Sequence, residues 1–434
     1  MEGRRREPGS SANLVSRLPA LGSARPQTDA GRSRWWRTYI TDGSLLRNTR
    51  FYRLWAGQGI SFVGDAISMV ALVILVVEIS DSASAVGGVL IARLLPTLAS
   101  PFAGVLADRL DRRAILVASD LARAVLILGL VFTRDLTTIY ALVFLMGVAR
   151  TLFNPTIRAA FPSVVGEGDL TRANALVGTT FSVSETLGPA LGGLLVAFVG
   201  VEAVFVLDAA TYLISAALLS RITLPRPSRE DGTGFGRELK AGLGYLAGAR
   251  VPLALVVGAF LTMLTINATV PAEVFLAKDT FAAGDIGYGL LVGLWGGGMV
   301  LGSALIAALG DRVSLMPLYL FGIFVSALAL AATGLAPTFA LALAALVVAG
   351  IANGVDEVAT NTILQKRVPD AFLGRVFAVK FLGYGAGDAL AFPVGGLVVD
   401  AVGPRATYLC AGAATAGVGS LILLLVLTAT FSRG

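Results

Sequence analysis

The chain has 434 residues, of which 56% are hydrophobic and 14% charged, with a formal net charge of +6. Soluble domains carry roughly 25% charged residues, so this composition excludes a large soluble domain and indicates a polytopic helical membrane protein. The sequence has no histidine and one cysteine, Cys410, which excludes an intrachain disulfide and a Cys/His zinc site. We therefore expect no metal, no cofactor and no enzymatic activity.

The first predicted element is a basic tail. Residues 1–53 hold eleven arginines and four acidic residues, so the rest of the chain is close to neutral. Such a tail could bind nucleic acid, but the positive-inside rule explains it more simply as a cytoplasmic segment near anionic lipid. Residues 1–46 are predicted to be disordered because Pro, Gly and Ser are frequent there. The start of the tail has no apolar core, so we do not expect a cleaved signal peptide.

Twelve apolar segments follow the tail, each long enough to cross a hydrocarbon layer of roughly 30 Å as a helix. They lie near residues 53–78, 85–106, 114–133, 137–159, 173–199, 203–222, 252–275, 286–309, 315–334, 338–363, 374–400 and 406–430. The longest polar connection, 223–250, divides them six and six. Its end, Phe235 to Ala249, has helical periodicity and is predicted to lie along the membrane surface. The predicted domains are the tail 1–46, a bundle over 47–222, the linker 223–250 and a bundle over 251–434.

The two bundles are predicted to be copies of one unit. Three segment pairs share an offset of 203 residues. Asp108-Arg109 matches Asp311-Arg312, Gly147-Val148-Ala149 matches Gly350-Ile351-Ala352, and the stretch from Gly192 to Gly200 matches that from Gly395 to Gly403. A shared offset is typical of transporters with parallel halves. The predicted fold class is an all-α polytopic membrane protein with twelve transmembrane helices in two pseudo-symmetric six-helix bundles.

The charge distribution predicts the orientation. With both termini in the cytoplasm, cytoplasmic segments hold 27 Lys or Arg residues and external loops hold three. This ratio follows the positive-inside rule. We expect a multi-pass monomer in the plasma (inner) membrane with both termini cytoplasmic.

One charged decapeptide carries a family resemblance. The run Gly104-Val105-Leu106-Ala107-Asp108-Arg109-Leu110-Asp111-Arg112-Arg113 resembles the loop 2–3 signature of the major facilitator superfamily. Asp111 stands where many members have glycine, as in the branch of macrolide-type multidrug exporters and enterobactin-type siderophore exporters. Three further stretches resemble the same branch, so that the resemblance covers about residues 46–430. They are Arg50-Phe51-Tyr52-Arg53-Leu54-Trp55 leading to Gly64-Asp65, Phe153-Asn154-Pro155 with Pro162, and Gln365 with Pro369 followed by Gly374-Arg375-Val376-Phe377-Ala378.

The decapeptide is a candidate gate. Gly104 permits close helix approach, and Asp108 at the end of the second span would be attracted to a helix N-terminus. The resemblance implies that this helix is span eleven, so Asp108 is expected to cap it and to pair with Arg375 when the pore faces outward. The remaining basic members are Arg109, Arg112 and Arg113. The alternative is that these charges only obey the positive-inside rule.

The run Gly188-Pro189-Ala190-Leu191-Gly192-Gly193 in the fifth span is a candidate helix-bend motif. Pro189 lacks a backbone donor and can bend the helix, while the glycines permit close packing. The run resembles the antiporter motif of superfamily exporters, although Ser184 stands where that motif has glycine. The resemblance favours export; the alternative is a packing kink without directional meaning.

Charged residues inside spans are costly in lipid and normally face a cavity or a partner. Asp65 and Glu185 are the candidate proton carriers, since a buried carboxyl can exchange a proton near neutral pH. Arg150, in the span where many superfamily exporters carry a coupling arginine, would tune one of them. The alternative is fixed ion pairs that hold the two halves together, which we favour for Asp120 and Arg123.

A second set of residues is predicted to line a substrate cavity, with lipid contact as the alternative for its apolar members. Of the adjacent Asp356 and Glu357, only one can face the cavity well. The full set is Phe62, Met69, Phe144, Phe181, Met263, Trp295, Asp356, Glu357, Phe381 and Asp388.

These features predict proton-coupled efflux of small amphipathic compounds, such as drugs or antibiotics, by alternating access. The expected partners are a small-molecule substrate, protons and the lipid bilayer, without nucleic acid. No Gly-x-x-x-x-Gly-Lys-Ser/Thr loop is present, so ATP is not expected as the direct energy source. Three alternatives stay open: export of one metabolite or siderophore, lysophospholipid transport, and a non-transporting membrane sensor.

Overall fold

The computed structural model describes residues 44–100, 103, 110–166, 169–224 and 235–431, and these residues form helices without any strand. The helices before residue 225 are α1 (Ser44–Arg47), α2 (Thr49–Ser80), α3 (Ala83–Leu94), α4 (Arg112–Val131), α5 (Leu136–Val165) and α6 (Leu170–Leu219). Those that follow are α7 (Phe235–Gly248), α8 (Arg250–Asn267), α9 (Val270–Phe275), α10 (Gly284–Leu309), α11 (Leu315–Leu335), α12 (Phe339–Arg367) and α13 (Asp370–Phe431). We call α2 to α6 the N-half and α8 to α13 the C-half.

Nine helical stretches in the described part of the chain are long and apolar enough to cross a membrane. Two of them, α6 and α13, have 50 and 62 residues, and each contains one residue outside the helical backbone region. Twelve spans result only if α6 and α13 each count as two and the shorter apolar stretch Ala83–Ala99 counts as one. The all-helical membrane fold is confirmed, and the count of twelve stays a prediction.

Gly200 and Gly403 are the residues that interrupt α6 and α13. Gly200 has φ 81° and ψ 166°, and Gly403 has φ 82° and ψ 166°. Only glycine adopts this conformation without strain. The two glycines are 203 residues apart, at the ends of matched sequence segments. The same backbone turn at both places agrees with the predicted duplication.

The predicted span over 252–275 is not one continuous helix. Helix α8 ends at Asn267 and α9 begins at Val270. Pro271 has no amide hydrogen, and its ring would clash with the carbonyl of residue 267 in a continuous helix. The carbonyl of Thr269 instead accepts from the amide of Ala272 at 2.8 Å. The chain then continues through a π-helical turn, Leu276–Thr280.

Helix α7 forms within the predicted linker and packs against the first turns of α13. The Tyr245 ring stacks on that of Phe372 with centroids 4.9 Å apart. Leu246 is buried, and a Cβ at Gly242 would lie only 2.8 Å from the carbonyl oxygen of Arg375. The helical periodicity of this segment is therefore real, while its position at the membrane surface stays a prediction.

Within the described residues, the two most extensive contacts between the halves include residues toward the ends where Gly200 and Gly403 lie. In one, the first part of α6 meets α10, where a Cβ at Gly193 would lie 3.0 Å from the Cα of Gly289. In the other, α13 meets α3, where a Cβ at Gly396 would lie 2.5 Å from the carbonyl oxygen of Ala83. The predicted topology assigns these ends to the external side.

The contact between α13 and α3 also carries a helix cap. The Asp400 carboxylate accepts hydrogen bonds from the amides of Ala83 at 2.7 Å and Ser84 at 3.0 Å, and from the Ser84 hydroxyl at 2.5 Å. A carboxylate at a helix N-terminus satisfies amides that have no partner within the helix. The residue 203 positions earlier is Ala197, which cannot make these bonds. The two contacts are therefore alike in packing and different in polar bonding.

Candidate functional site

Two cavities dominate the described part of the chain. The central cavity, of about 800 Å³, is lined by both halves and reaches Asp65, Glu185 and Asp388. The side cavity, of about 620 Å³, lies within the N-half between α2, α5 and α6. Arg150, Asn154 and Phe181 line both cavities. The two spaces therefore meet at these residues.

Asp65 of α2 is the centre of a charge cluster at the wall of the central cavity. The hydroxyl of Tyr212, in the second part of α6, donates to its carboxylate at 2.5 Å. The guanidinium groups of Arg93 and Arg123 lie 3.9 Å from the carboxylate and that of Arg150 lies at 4.0 Å. Helices α3, α4 and α5 thus each contribute one cation to a single carboxylate.

Arg123 has a larger part in this cluster than the sequence indicated. Its predicted ion pair with Asp120 is present. The same guanidinium also lies between two aromatic rings, 4.6 Å from the Phe153 centroid and 4.4 Å from that of Tyr212, which is a favourable cation–π geometry. Asp120, three residues away, was a sufficient partner for Arg123 in the sequence. The contact of Arg123 with Asp65 was therefore not predicted. The hydrogen bond of Tyr212 to Asp65 was not predicted either, because a tyrosine in an apolar span resembles a packing residue.

Asp208 completes the cluster from the second part of α6. It is 1% exposed and accepts a hydrogen bond from the Thr211 hydroxyl at 2.9 Å. A Cβ at Gly64 would collide with its carboxylate oxygen, so the glycine before Asp65 makes room for it. The cluster is balanced in formal charge, with Arg93, Arg123 and Arg150 against Asp65, Asp120 and Asp208.

Glu185 and Asp388 face the central cavity from opposite halves. Glu185 is exposed there and has no hydrogen bond or ion pair within the described residues. Asp388 accepts a hydrogen bond from the Asn267 side-chain amide at 2.5 Å and has no cation partner in the same part of the chain. The cavity therefore contains two carboxyl groups outside the balanced cluster.

The predicted helix-bend motif is a packing surface. A Cβ at Gly188 would collide with Ala66, and one at Gly192 would lie 2.8 Å from the carbonyl oxygen of Ile67. Gly193 faces α10 instead. Helix α6 continues through Pro189 without a non-helical residue until Gly200. The motif thus holds α2, with Asp65, on one side and the C-half on the other.

The predicted gate lies partly outside the described residues. Gly104, Asp108 and Arg109 are among the residues that are not described, so the pairing of Asp108 with Arg375 stays a prediction. Asp111 caps α4, accepting from the amides of Arg113 at 2.8 Å and Ala114 at 3.2 Å.

The arginines of this motif have local contacts. Arg112 donates to the carbonyl oxygen of Ala159 at 3.2 Å, and the Arg113 side chain is exposed. The Arg375 guanidinium lies 5.5 Å from the Phe372 ring centroid.

About half of the predicted cavity residues line the two cavities. Met69, Trp295 and Asp388 line the central cavity, Phe62 lines the side cavity, and Phe181 lines both. The rings of Phe62 and Phe181 are 5.2 Å apart and perpendicular.

The other predicted cavity residues lie elsewhere. Phe144 is 38% exposed on α5, and Phe381 is 60% exposed beside the Tyr384 ring. Met263 packs against α13, where a Cβ at Gly387 would lie 3.6 Å from its own Cβ.

Asp356 and Glu357 are absent from the linings of the central and side cavities and have partners within the C-half, so their role in a cavity stays a prediction. Thr360 donates to Asp356 at 3.3 Å. Glu357 receives the Lys380 ammonium at 3.1 Å and the Tyr384 hydroxyl at 2.5 Å. We call Glu357, Asn361, Lys380 and Tyr384 the C-half network.

Solved structures identify the fold. The chain matches a crystal structure of a nucleoside transporter with a TM-score of 0.73 over 87% of this chain and 98% of the other, at 12% identity. It also matches a bacterial homologue of the iron transporter ferroportin in an inward-facing state, with a TM-score of 0.69 over 87% and 99% of the two chains, at 16% identity. The chain therefore shares the fold of these two transporters.

Sequence relatives identify the family. The profile of the transmembrane secretion effector family matches residues 41–432. A candidate bacilysin exporter of Bacillus amyloliquefaciens is 30% identical over 80% of this chain and 87% of its own. Macrolide efflux protein A of Streptococcus pyogenes is 25% identical over 84% and 92%, and the enterobactin exporter of Escherichia coli is 29% identical over 75% and 78%. The chain belongs to the transmembrane secretion effector family of the major facilitator superfamily.

Proposed function

We propose that the protein exports small amphipathic compounds, of the antibiotic or siderophore kind, in exchange for protons by alternating access. The relatives named above are exporters of such compounds, and the central cavity offers aromatic, methionine and charged surfaces to a ligand. Cavities of this kind, mainly apolar with a few polar groups, are usual for small-molecule sites.

One observation carries the proton coupling. Glu185 faces the central cavity without a cation partner, while Asp65, in the same cavity, is surrounded by three guanidinium groups and a tyrosine hydroxyl. An unpaired carboxyl group can take up a proton or a cationic group of a ligand, and the two exclude each other. Glu185 therefore exchanges the proton in this conformation. Asp65 exchanges one after a conformational change separates it from Arg150.

The position of the contacts between the halves supports the proposed alternating access. Gly193 with Gly289, and Gly396 with Ala83, close the ends that the predicted topology assigns to the external side. The side cavity lies toward the opposite ends of α5 and α6. We interpret this arrangement as the inward-facing state.

The test uses inside-out membrane vesicles with an imposed pH gradient and three compounds: erythromycin, bacilysin and enterobactin. We expect at least one compound to enter the vesicles and to dissipate the gradient. Glu185→Gln should abolish the dissipation, whereas Glu202→Gln, on an exposed residue far along α6 that pairs with Arg134, should leave it intact.

The two parts of the proposal fail separately. Uptake that persists at the wild-type rate after the gradient is collapsed rules out proton coupling. No uptake of any of the three compounds, by protein that is folded and inserted, rules out export of this compound class.

A further inference from the structure

The side cavity has a chemistry that the proposed function does not use. Its polar lining consists of Gln58 of α2, Arg150, Asn154 and Arg158 of α5, and Asn174 of α6, and no acidic residue lines it. Arg150, Asn154 and Arg158 follow each other at intervals of four residues, so they lie on one face of α5. Arg158 has no hydrogen bond or ion pair within the described residues, and Arg150 has only Asp65 at 4.0 Å.

The side-chain oxygen of one buried amide group in this cavity has no partner. Gln58 is 6% exposed, lines the cavity, and its side-chain oxygen makes no hydrogen bond. Buried polar side chains are nearly always hydrogen-bonded. Because oxygen and nitrogen of a glutamine amide are exchanged by a simple flip, this group can present a donor to the cavity. With the amide flipped, Gln58 joins Arg150 and Arg158 as a donor in the lining of the cavity, an arrangement that suits a ligand with acceptor atoms.

The C-half shows what fills the equivalent space there. The residues 203 positions after Asn154 and Arg158 are Glu357 and Asn361. Those 203 positions after Val177 and Phe181, which also line the side cavity, are Lys380 and Tyr384.

All four C-half residues belong to one network. The Lys380 side chain is 0% exposed and lies 3.1 Å from Glu357 and 2.6 Å from the Asn361 side-chain oxygen. The C-half thus supplies its own carboxylate to its own cation. In the N-half, Arg158 has no carboxylate partner among the described residues, and the space is open.

We propose that the side cavity is a binding site for the anionic group, carboxylate or phosphate, of an amphipathic molecule. Arg158 and Arg150 bind the charged group, since guanidinium forms paired hydrogen bonds with both anions. Gln58 and Asn154 donate to its remaining oxygens. Phe62, Phe161 and Phe181 contact the apolar part of the molecule. The site concerns binding and goes beyond the proposed proton exchange at Glu185.

The test is calorimetric titration of the purified full chain in detergent with octyl phosphate and octanoate, and with octylammonium as the matched cation. We expect both anions to bind, and Arg158→Gln to weaken them about tenfold or more, the usual effect of losing a charge-assisted hydrogen bond. Arg158→Lys should recover part of the loss. Octylammonium, wherever it binds, should be unaffected by Arg158→Gln.

Two further variants separate a lost site from a damaged fold. Asn154→Glu places a carboxylate where the C-half has Glu357, so it should abolish anion binding while the unliganded protein melts no lower than the wild type. Arg367→Gln removes an exposed arginine of α12 outside the cavity and should leave binding unchanged.

The source of the anion is distinguished in nanodiscs. If phosphatidylglycerol, added to phosphatidylcholine nanodiscs, displaces octyl phosphate, the ligand is a lipid headgroup; if it does not, the ligand is a soluble amphiphile. Absence of anion binding by the wild type, or equal affinity of the wild type and Arg158→Gln, overturns the proposal. Neither result bears on Glu185, whose test measures proton flux.

Discussion

Equivalent positions in the two halves differ in whether their charged side chains are paired. In the C-half, Lys380 is fully buried and hydrogen-bonded to Glu357 and Asn361. Glu357 also accepts a hydrogen bond from Tyr384. In the N-half, the equivalent residues surround an open space with unpaired arginine. A duplicated fold can therefore pair a cation internally in one copy and leave the equivalent space of the other copy available to a ligand.

The largest expected effect on stability comes from removing the cation of the C-half network. Lys380→Met leaves Glu357, whose side chain is 30% exposed, without its cation. Because breaking a fully buried ion pair costs about 3–5 kcal/mol, the free energy of unfolding, measured by denaturant titration in detergent, should fall by up to that amount. Val177→Met at the equivalent N-half position should have little effect, because the side chain enters an open cavity. Adding Glu357→Gln to Lys380→Met should restore most of the stability; equal unfolding of Lys380→Met and wild type would contradict the assignment.

The two halves can next be compared through their phenols. Tyr212 donates to Asp65 and Tyr384 donates to Glu357, both at 2.5 Å. Hydrogen bonds to charged groups contribute about 1.5–3 kcal/mol, so Tyr212→Phe and Tyr384→Phe should lower the free energy of unfolding by similar amounts. Only Tyr212→Phe should also slow proton-coupled uptake in vesicles, because only Asp65 lines the central cavity. Slowed uptake in Tyr384→Phe alone would reverse the assignment of roles.

The glycine contacts provide a smaller effect that tests the equivalence of the halves. Gly193→Ala and Gly396→Ala each place a methyl group against backbone of the other half, and overpacking costs about 1–3 kcal/mol. Thermal unfolding should show comparable losses for both variants. Gly178→Ala, where nothing lies within 4 Å of the added carbon, is the control. A loss of thermal stability in only one of the two variants would show that the two contacts contribute unequally to stability.

The smallest effect concerns the cap that only one contact has. Asp400→Ala removes the acceptor for the first turn of α3, and loss of a helix cap costs about 0.5–2 kcal/mol. The contact between α13 and α3 should therefore open about 2- to 30-fold more often. The measurement is labelling of Val292→Cys, in the central cavity, by an impermeant maleimide added outside cells in a Cys410→Ala background. Asp400→Asn, which keeps one acceptor, should lie between Asp400→Ala and wild type, and unchanged labelling in Asp400→Ala would exclude a closing role.

The sequence predicted where the helices lie along the chain better than it predicted which side chains contact each other in the fold. Apolar length and the shared offset located the helices and the turns at Gly200 and Gly403, because these depend on local composition and backbone freedom. The partners of Glu357 were not predicted, because they include Lys380, which is 23 residues away on the next helix. Applying the offset to individual positions would have paired Asn154 with Glu357 and drawn attention to the side cavity.

The central charge cluster could be predicted only in part. Asp65 and Arg150 were visible as charges within apolar segments. Their proximity depends on which faces of α2 and α5 are turned inward, and both helices are too apolar for periodicity to decide this. Arg123 was assigned to its nearest acid in sequence for the same reason.

The turn at Gly200 has a mechanical consequence. It is a joint of one residue, and it connects the part of α6 that carries Gly193 to the part that carries Tyr212. Because this one residue links the two parts of α6, a movement of the first part is expected to displace the second part as well. Withdrawal of Gly193 from Gly289 should then shift Tyr212 relative to Asp65, and the opening of one face would be transmitted to the charged centre by the chain itself.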